Sequence, residues 1–277
     1  MKKTGLVLTM LGAALAATAC GPAKEDETKR TKLYVFAAAS MTETLQELEK
    51  KYEAKNKDTD LVFNFDSSGT LKTQIENGAK CDVFISAAQK QMNGLADQNL
   101  VKTETRFDFL ENKVSLVVPE GNPKHILDFG NMCNRLQAKE DGFILAMGND
   151  DVPVGQYTQK ILTSFGVMQK TGDVYSFVDP DVEDHHVSYC GNVKLVAAAV
   201  QESSVSCGVV YRTDAFSNHL VELTQATEEM CGRVVYPAAL ISKTKQETLG
   251  KKYLEYLKSE EATKVFEKVG FVALANN

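Results

Sequence analysis

Four segments of the chain join the predicted start of a helix to small or hydroxyl-bearing residues, a combination that suits anion binding. The first is FAAAS at 36–40, where three alanines and Ser40 follow a strand-like run and precede a helical period. Small residues leave the free N–H groups at a helix N-terminus approachable, and these groups carry partial positive charge. Ser40 and Glu43 also match the capping box S-x-x-E, which needs no ligand. Both interpretations remain open for this segment taken alone.

The same arrangement recurs at three further predicted helix starts. In FDSSGTLKTQI, Ser68 stands in the turn between a strand and the next helix, where it can either cap the helix or donate to an anion. In GNDDVPVGQY, Pro153 suits the first helical position because it has no N–H, so Val154 offers the first free amide. In GNVKL, Asn192 suits the cap position and Val193 offers an amide. Four such starts in one chain favour an anion site over four unrelated caps.

These segments sit in an alternation of short β-rich runs and helical periods, which predicts an α/β fold with largely parallel sheets. The predicted strands are 33–37, 61–65, 81–86, 115–119, 143–147, 207–211 and 234–241. The predicted helices are 41–54, 70–77, 153–165, 192–201 and 246–268. The strands form two series, and a late strand leads the chain back to the first series. This order predicts two lobes, the first formed by 31–112 plus 238–277 and the second by 113–237. We expect the ligand in the cleft between them, at the carboxyl ends of strands.

The N-terminus has the features of a secretory signal. Lys2 and Lys3 precede an uncharged stretch that runs to Ala19, and Cys20 and a charged segment follow. The uncharged stretch is shorter than the roughly 18 to 20 apolar residues that a membrane-spanning helix needs. Because LAATAC resembles a bacterial lipobox, residues 1–19 are expected to be removed and Cys20 to carry a lipid on a linker over 20–30. The protein is then expected outside the cytoplasm, lipid-anchored to the cell membrane at the cell surface or in the periplasm.

The charge and the cysteines exclude several classes of function. The formal net charge is −6 at pH 7, and loss of the signal would remove two lysines, so nucleic acid is not an expected partner. Beyond Cys20 the cysteines are an odd set with no zinc-binding spacing: Cys81, Cys133, Cys190, Cys207 and Cys231. Cys81 and Cys207 lie in apolar runs and are predicted to be buried. A disulfide among Cys133, Cys190 and Cys231 remains open.

The chain resembles the molybdate-binding proteins that serve bacterial ABC transporters, over Lys32 to Leu274. The resemblance is carried by FAAAS at 36–40, SSGTL at 67–71, DVFISA at 82–87, DVPVGQY at 151–157, GVVYRTDA at 208–215, VVYPAAL at 234–240 and YLKSEEATKVFEKVGF at 256–271. It implies a two-lobed α/β fold of the type II periplasmic-binding-protein kind, each lobe a mostly parallel sheet flanked by helices. It also implies that molybdate, and tungstate, are bound in the inter-lobe cleft and delivered to a membrane permease.

Carried over residue by residue, the resemblance implies that uncharged donors hold the oxyanion. Ser40 and Ser68 would donate from the first lobe, and the backbone N–H groups of Val154 and Val193 and the Tyr211 hydroxyl from the second. Tyr211 also suits a buried aromatic at a strand end, although a buried phenol still needs a hydrogen-bond partner. A monomer without cofactor, catalytic residue or direct coordination of the metal atom is expected.

Two acidic residues lie next to these segments: Asp66 precedes the serine pair, and Asp150 stands where proline is common in the family. Either carboxylate would repel a dianion in the cleft. We therefore expect both to point to solvent.

Alternatives from other classes are weaker. Ser242-x-x-Lys245 and the K-T-G at 170–172 match motifs of penicillin-recognising serine enzymes, but their order is reversed and S-D-N is absent from the sequence. The segment DPDVEDHH at 179–186 could hold a metal, but it is predicted to be a solvated, extended loop in which neighbouring histidines point apart. A binding protein for sulfate, phosphate or ferric iron is the remaining alternative. Phosphate would require an acid that accepts its proton, and iron would require tyrosinates and carboxylates.

Overall fold

The computed structural model describes residues 30–274, so the predicted signal over 1–19, Cys20 and the linker up to residue 29 lie outside the described residues. The strands are β1 Thr31–Ala38, β2 Thr59–Asp66, β3 Val83–Ile85, β4 Phe107–Asn112, β5 Val114–Val118, β6 Leu145–Gly148, β7 Met168–Thr171, β8 Val174–Phe177, β9 Val187–Cys190, β10 Cys207–Tyr211, β11 Val221–Gln225, β12 Val234–Leu240 and β13 Val272–Ala273. The helices are α1 Thr42–Lys55, α2 Ser68–Glu76, α3 Gln89–Asp97, α4 Phe129–Gln137, α5 Pro153–Ser164, α6 Pro180–His186, α7 Val193–Gln201, α8 Arg212–Ser217, α9 Glu228–Cys231, α10 Glu247–Leu257 and α11 Glu260–Lys268. Short 3₁₀ turns cover 39–41 and 103–105.

Two sheets organise the described chain, each with helices packed on it, which confirms the two-lobed α/β fold. The first has the strand order β13-β4-β12-β3-β1-β2 and the second the order β11-β5-β10-β6-β9. Each sheet is mixed: β1 pairs in parallel with β2 and β3, and β6 in parallel with β9 and β10, while the other pairings are antiparallel. The parallel strands carry the carboxyl ends that face the cleft.

The chain passes between the sheets twice. It leaves the first sheet after Asn112 and enters the second at Val114, and it returns between Cys231 and Val234. The predicted boundary between 237 and 238 falls inside β12, which pairs with β4 of the first sheet from Val234 onwards. The return crossing therefore lies ahead of β12.

Local signals account for most helix starts. Ser67 caps α2 by accepting from the Thr70 N–H at 3.0 Å, and Asn192 caps α7 by accepting from the Leu195 N–H at 3.1 Å. The predicted helix over 246–268 is divided at Ser259, whose hydroxyl caps α11 by accepting from the Ala262 N–H at 3.3 Å. Pro153 begins α5, as its position predicted.

The acid-rich segment that was predicted to be an extended loop is instead helix α6. Asp179 caps it and Pro180 occupies its first turn, and both are helix-start signals. Val182 and His186 share its buried face, and His186 Nδ1 lies 2.8 Å from the Phe143 carbonyl oxygen. The loop prediction was wrong because these start signals outweigh the run of acids.

The five described cysteines are all buried and none forms a disulfide. Cys81 and Cys207 are buried as predicted, and the disulfide left open among the other three does not form. Between residues 30 and 274, no helix combines the length and the apolar character that crossing a bilayer requires.

Candidate functional site

A small cavity lies between the lobes, where β1, β2 and β3 end and where α5 and α7 begin. The five predicted site residues all line it: Ser40, Ser68, Val154, Val193 and Tyr211. They come from five separate parts of the sequence, and the fold brings them to one place. The cavity is small: its free volume for a water-sized probe is about 10 Å³, close to the space that one water molecule needs.

Ser68 lines this cavity with a buried hydroxyl group. It is the first residue of α2 and is 0% exposed. The cap of α2 is Ser67, so Ser68 is not needed for capping. The Ser68 Oγ accepts the Ala87 N–H at 3.0 Å, which fills an acceptor position and leaves the hydroxyl hydrogen free to donate.

Ser40 does not form the predicted capping box. It lies in the 3₁₀ turn before α1, whose cap is Met41 without a side-chain hydrogen bond. The Ser40 Oγ instead lies 2.9 Å from the Tyr236 Oη, and Glu43 forms an ion pair with Lys194 across the cleft at 2.7 Å. The box fails because the extra 3₁₀ turn moves the start of the α-helix past Ser40.

The second lobe offers two backbone donors at helix starts. Val152 precedes α5 and makes no side-chain cap bond, and Pro153 has no N–H, so the Val154 N–H is the first donor of that helix. Val193 is the first residue of α7, and the Asn192 side chain satisfies the Leu195 amide and not that of Val193. Both N–H groups therefore lack an intrahelical acceptor.

The Tyr211 hydroxyl is buried and, among the described residues, has no hydrogen-bond partner. The residue is 2% exposed at the end of β10. Burial raises the pKa of Tyr211 well above its usual value, so the phenol stays neutral and remains a donor. A buried O–H without an acceptor costs free energy, and an oxyanion in the cavity would remove that cost.

The two neighbouring acids behave differently. Asp150 is exposed and its Oδ1 accepts from Gln159 Nε2 at 2.5 Å, which confirms that it points away from the cavity. Asp66 is half-buried and lines the cavity, so the expectation that it points to solvent was wrong. Its Oδ1 accepts the Ser67 N–H at 2.7 Å and faces Asn192 Nδ2 of the other lobe at 3.4 Å, and these donors hold it at the wall.

Sequence reasoning did not find Tyr236 or Asn112, which support Ser40 from behind. Tyr236 lies within the apolar run VVYPAAL, where an aromatic residue is expected to belong to the core. It is 196 positions from Ser40 along the chain, and no local pattern indicates a pairing over that separation.

The residues of the alternative functions are not assembled into a site. The Ser242 hydroxyl donates to the Asn99 carbonyl at 2.8 Å. In the K-T-G at 170–172, Lys170 and Thr171 end β7 and Gly172 lies in the turn before β8, in the other lobe. His185 is exposed and His186 faces the core. Residues 30–274 contain no cluster of three or more histidine, cysteine or acidic side chains that could hold a metal ion.

Residues 33–272 match the family model described as bacterial extracellular solute-binding protein. The chain belongs to this family. It is 31% identical over 273 residues to the molybdate-binding protein ModA of Haemophilus influenzae, covering 98% of this chain and 96% of that one. It is also 31% identical over 276 residues to the Bacillus subtilis protein YvgL, covering 98% of this chain and 99% of that one. The name of YvgL describes it as a candidate ABC transporter substrate-binding lipoprotein.

A solved structure supports the fold of this solute-binding protein. The periplasmic molybdate-binding protein of Azotobacter vinelandii superposes with a TM-score of 0.72 at 20% identity, covering 88% of this chain and 100% of that one. The expected type II fold is thereby confirmed, and the cavity lies between the two lobes, at the kind of domain interface where ligand pockets are often found.

Proposed function

We propose that this protein binds molybdate, and tungstate of similar size, in the inter-lobe cavity and delivers it to the membrane permease of an ABC transporter. The observation that carries the proposal is the buried Tyr211 hydroxyl, which lacks a partner where four other predicted donors converge. The names of the relatives at 31% identity support molybdate as the ligand.

Neutral donors can hold a dianion without a lysine or arginine in contact. No basic side chain is among the described residues that line the cavity. Each hydrogen bond to a charged group contributes about 1.5–3 kcal/mol, and two helix N-termini add a favourable potential. Donors fixed on two rigid lobes cannot all close on a smaller ion, so sulfate, with the same charge and shape, is expected to bind more weakly.

Hydrogen phosphate is the second candidate, and Asp66 is the observation that favours it. A protonated oxyanion needs an acceptor for its O–H, and Asp66 is the one acidic residue among the described residues that line the cavity. Against it, Asp66 already accepts from the Ser67 amide and faces Asn192. We infer that Asp66 fixes the turn before α2 and does not contact the ion.

The cellular setting is part of the proposal. The protein would be held at the outer face of the cytoplasmic membrane by a lipid on Cys20, act as a monomer, and present its closed lobes to the permease. It would catalyse no reaction and need no cofactor, since its donors suit retention of an ion and not its conversion.

Calorimetric titration of the protein produced from Lys24 onward, which retains every described element, tests the ligand. Molybdate and tungstate should bind tightly with one ion per chain, while sulfate and phosphate should release little or no heat. Ser68→Ala should weaken molybdate binding by about tenfold to a hundredfold, because one charge-assisted hydrogen bond is lost.

Ser115→Ala is the matched control, since this buried hydroxyl donates to Glu222 away from the cavity. Its molybdate affinity should equal that of the wild type. Tight binding of phosphate, abolished in Asp66→Asn, would replace molybdate by the second candidate. No binding of any oxyanion would overturn the proposed function.

A further inference from the structure

The Ser40 hydroxyl is connected to a chain of buried polar groups that no sequence motif indicates. Tyr236, in β12, is 0% exposed, and its Oη lies 2.9 Å from Ser40 Oγ. On the other side the same Oη lies 3.2 Å from Asn112 Nδ2. Asn112 ends β4 and is also buried.

The directions of these hydrogen bonds follow from Asn112. The Lys113 N–H donates to Asn112 Oδ1 at 2.9 Å, and only the oxygen of the side-chain amide can accept from an N–H. The Nδ2 group therefore points the other way and donates to Thr213 Oγ1 at 2.9 Å and to Tyr236 Oη. Tyr236 thus receives a hydrogen from Asn112.

The Tyr236 hydroxyl has one hydrogen of its own, and among the described residues Ser40 Oγ is the other polar atom within reach of it. If Tyr236 donates to Ser40, the Ser40 hydrogen is free for the cavity and every group in the chain is paired once an anion is present. If Ser40 donated to Tyr236, the Tyr236 hydrogen would be buried without an acceptor, which costs free energy.

We propose that Tyr236, oriented by Asn112, is a positioning residue that turns the Ser40 hydroxyl toward the bound oxyanion. The inference rests on the proposed function, because it concerns the same site. Tyr236 does not touch the ion and acts through Ser40. Asn112 belongs to β4 and Tyr236 to β12, the strands next to the two crossings between the lobes. Thr213 extends the chain of hydrogen bonds into the second lobe.

A double-mutant cycle on molybdate affinity tests this role. Tyr236→Phe should weaken binding about five- to tenfold, since Ser40 loses the donor that orients it. In a Ser40→Ala background the same change should alter affinity by less than about twofold, because Tyr236 then has nothing to position. A tyrosine that merely supported the fold would have the same effect in both backgrounds.

Tyr253→Phe is the matched control: this phenol is fully buried in the same lobe and its hydroxyl lacks a partner among the described residues. Its molybdate affinity should be that of the wild type. If Tyr236→Phe does not fold, Asn112→Leu enters the same cycle, because it removes the donor that directs Tyr236 toward Ser40.

The possible results separate the two proposals. In one case the wild type binds molybdate, and Tyr236→Phe either lowers the affinity equally in the wild-type and Ser40→Ala backgrounds or does not lower it at all. Either result would overturn the positioning role and leave the proposed function standing. Absence of molybdate binding by the wild type would overturn both.

Discussion

At the scale of single residues, the protein already fills an acceptor position on each of the two serine hydroxyls of the candidate site. Ser68 accepts from the Ala87 amide, and Ser40 accepts from Tyr236 in the proposed chain, so each keeps one hydrogen for the cavity. Tyr211 differs, because its hydroxyl has no hydrogen-bond partner among the described residues. The Tyr211 hydroxyl should therefore strengthen the binding of an oxyanion while it lowers, or leaves unchanged, the stability of the ligand-free protein.

Replacement of Tyr211 by phenylalanine separates these two effects. We expect Tyr211→Phe to weaken molybdate binding by about tenfold or more, since one bond to a charged acceptor is lost. The ligand-free protein should be as stable as the wild type or more stable by up to about 1 kcal/mol, because a buried unpaired hydroxyl has been removed. Calorimetric titration and urea unfolding without ligand measure the two quantities.

Tyr253→Phe provides the comparison for Tyr211, since it removes a similarly unpartnered buried hydroxyl away from the cavity. It should match Tyr211→Phe in stability and match the wild type in affinity. An unchanged affinity in Tyr211→Phe would contradict a ligand contact by this residue. A large loss of ligand-free stability in Tyr211→Phe would show that the Tyr211 hydroxyl is hydrogen-bonded before the ion binds.

At the scale of elements, the start of α7 joins the lobes through Lys194. Its Nζ lies 2.7 Å from Glu43 of α1 and 3.2 Å from Asp214 of α8. Asp214 is fully buried, and neither of its carboxylate oxygens makes a well-aligned side-chain hydrogen bond within residues 30–274. Burial raises the pKa of Asp214 to about 6, although Lys194 opposes the shift.

This raised pKa makes the stability depend on pH in a definite direction. The folded protein binds the Asp214 proton more readily than the unfolded chain does, so the contribution is complete below about pH 4 and is lost as the pH rises through about 6. Asp214→Asn removes the titration. Relative to the wild type, the variant should gain about 2 kcal/mol in free energy of unfolding between pH 4 and pH 7, measured by urea unfolding at both values.

Lys194→Met sharpens the test of Asp214, because it removes the cation that opposes the shift. The loss of stability should then extend to higher pH than in the wild type. A difference between Asp214→Asn and the wild type that stays constant from pH 4 to pH 7 would contradict an upward shift at this carboxylate.

Elements also show which parts of the site could be predicted from the sequence. The starts of α5 and α7 were predictable because Pro153 and Asn192 act within one helical turn. The absence of a capping box at Ser40 was not predictable, because an added 3₁₀ turn decides it. The position of Asp66 was not predictable either, because it depends on the Asn192 side chain of the other lobe. The pairing of Ser40 with Tyr236 depends on how β12 enters the first sheet, which only the assembled fold determines.

At the scale of the whole molecule, the site exists only when the lobes are close together. Ser40 and Ser68 belong to one lobe and Val154, Val193 and Tyr211 to the other, so opening the cleft would separate the donors. Gly69, at the start of α2, packs closely against the second lobe. A Cβ added there would overlap the carbonyl oxygen of Asp151 and lie 2.8 Å from its carbonyl carbon.

Gly69→Ala should therefore hold the lobes apart without disturbing either one. The overlap is with backbone, which cannot rotate away as a side chain can, so the second-lobe donors cannot reach an ion held by the first. We expect molybdate affinity to fall by about a hundredfold or more, equivalent to at least one or two charge-assisted hydrogen bonds. In small-angle X-ray scattering, molybdate should reduce the radius of gyration of the wild type. It should leave the radius of gyration of Gly69→Ala unchanged.

Gly94→Ala is the matched control for Gly69→Ala, because this helical glycine lies in the same lobe. Its added Cβ would meet the Cε of Lys72 at 2.7 Å, the flexible end of a side chain that can move aside. Gly94→Ala should bind molybdate and contract like the wild type. If Gly69→Ala did so as well, the approach of Gly69 to Asp151 would not be required for binding, and the ion would be held by a more open arrangement of the same donors. If only Gly69→Ala fails to contract, closure of the two lobes is what assembles the five donors into one site.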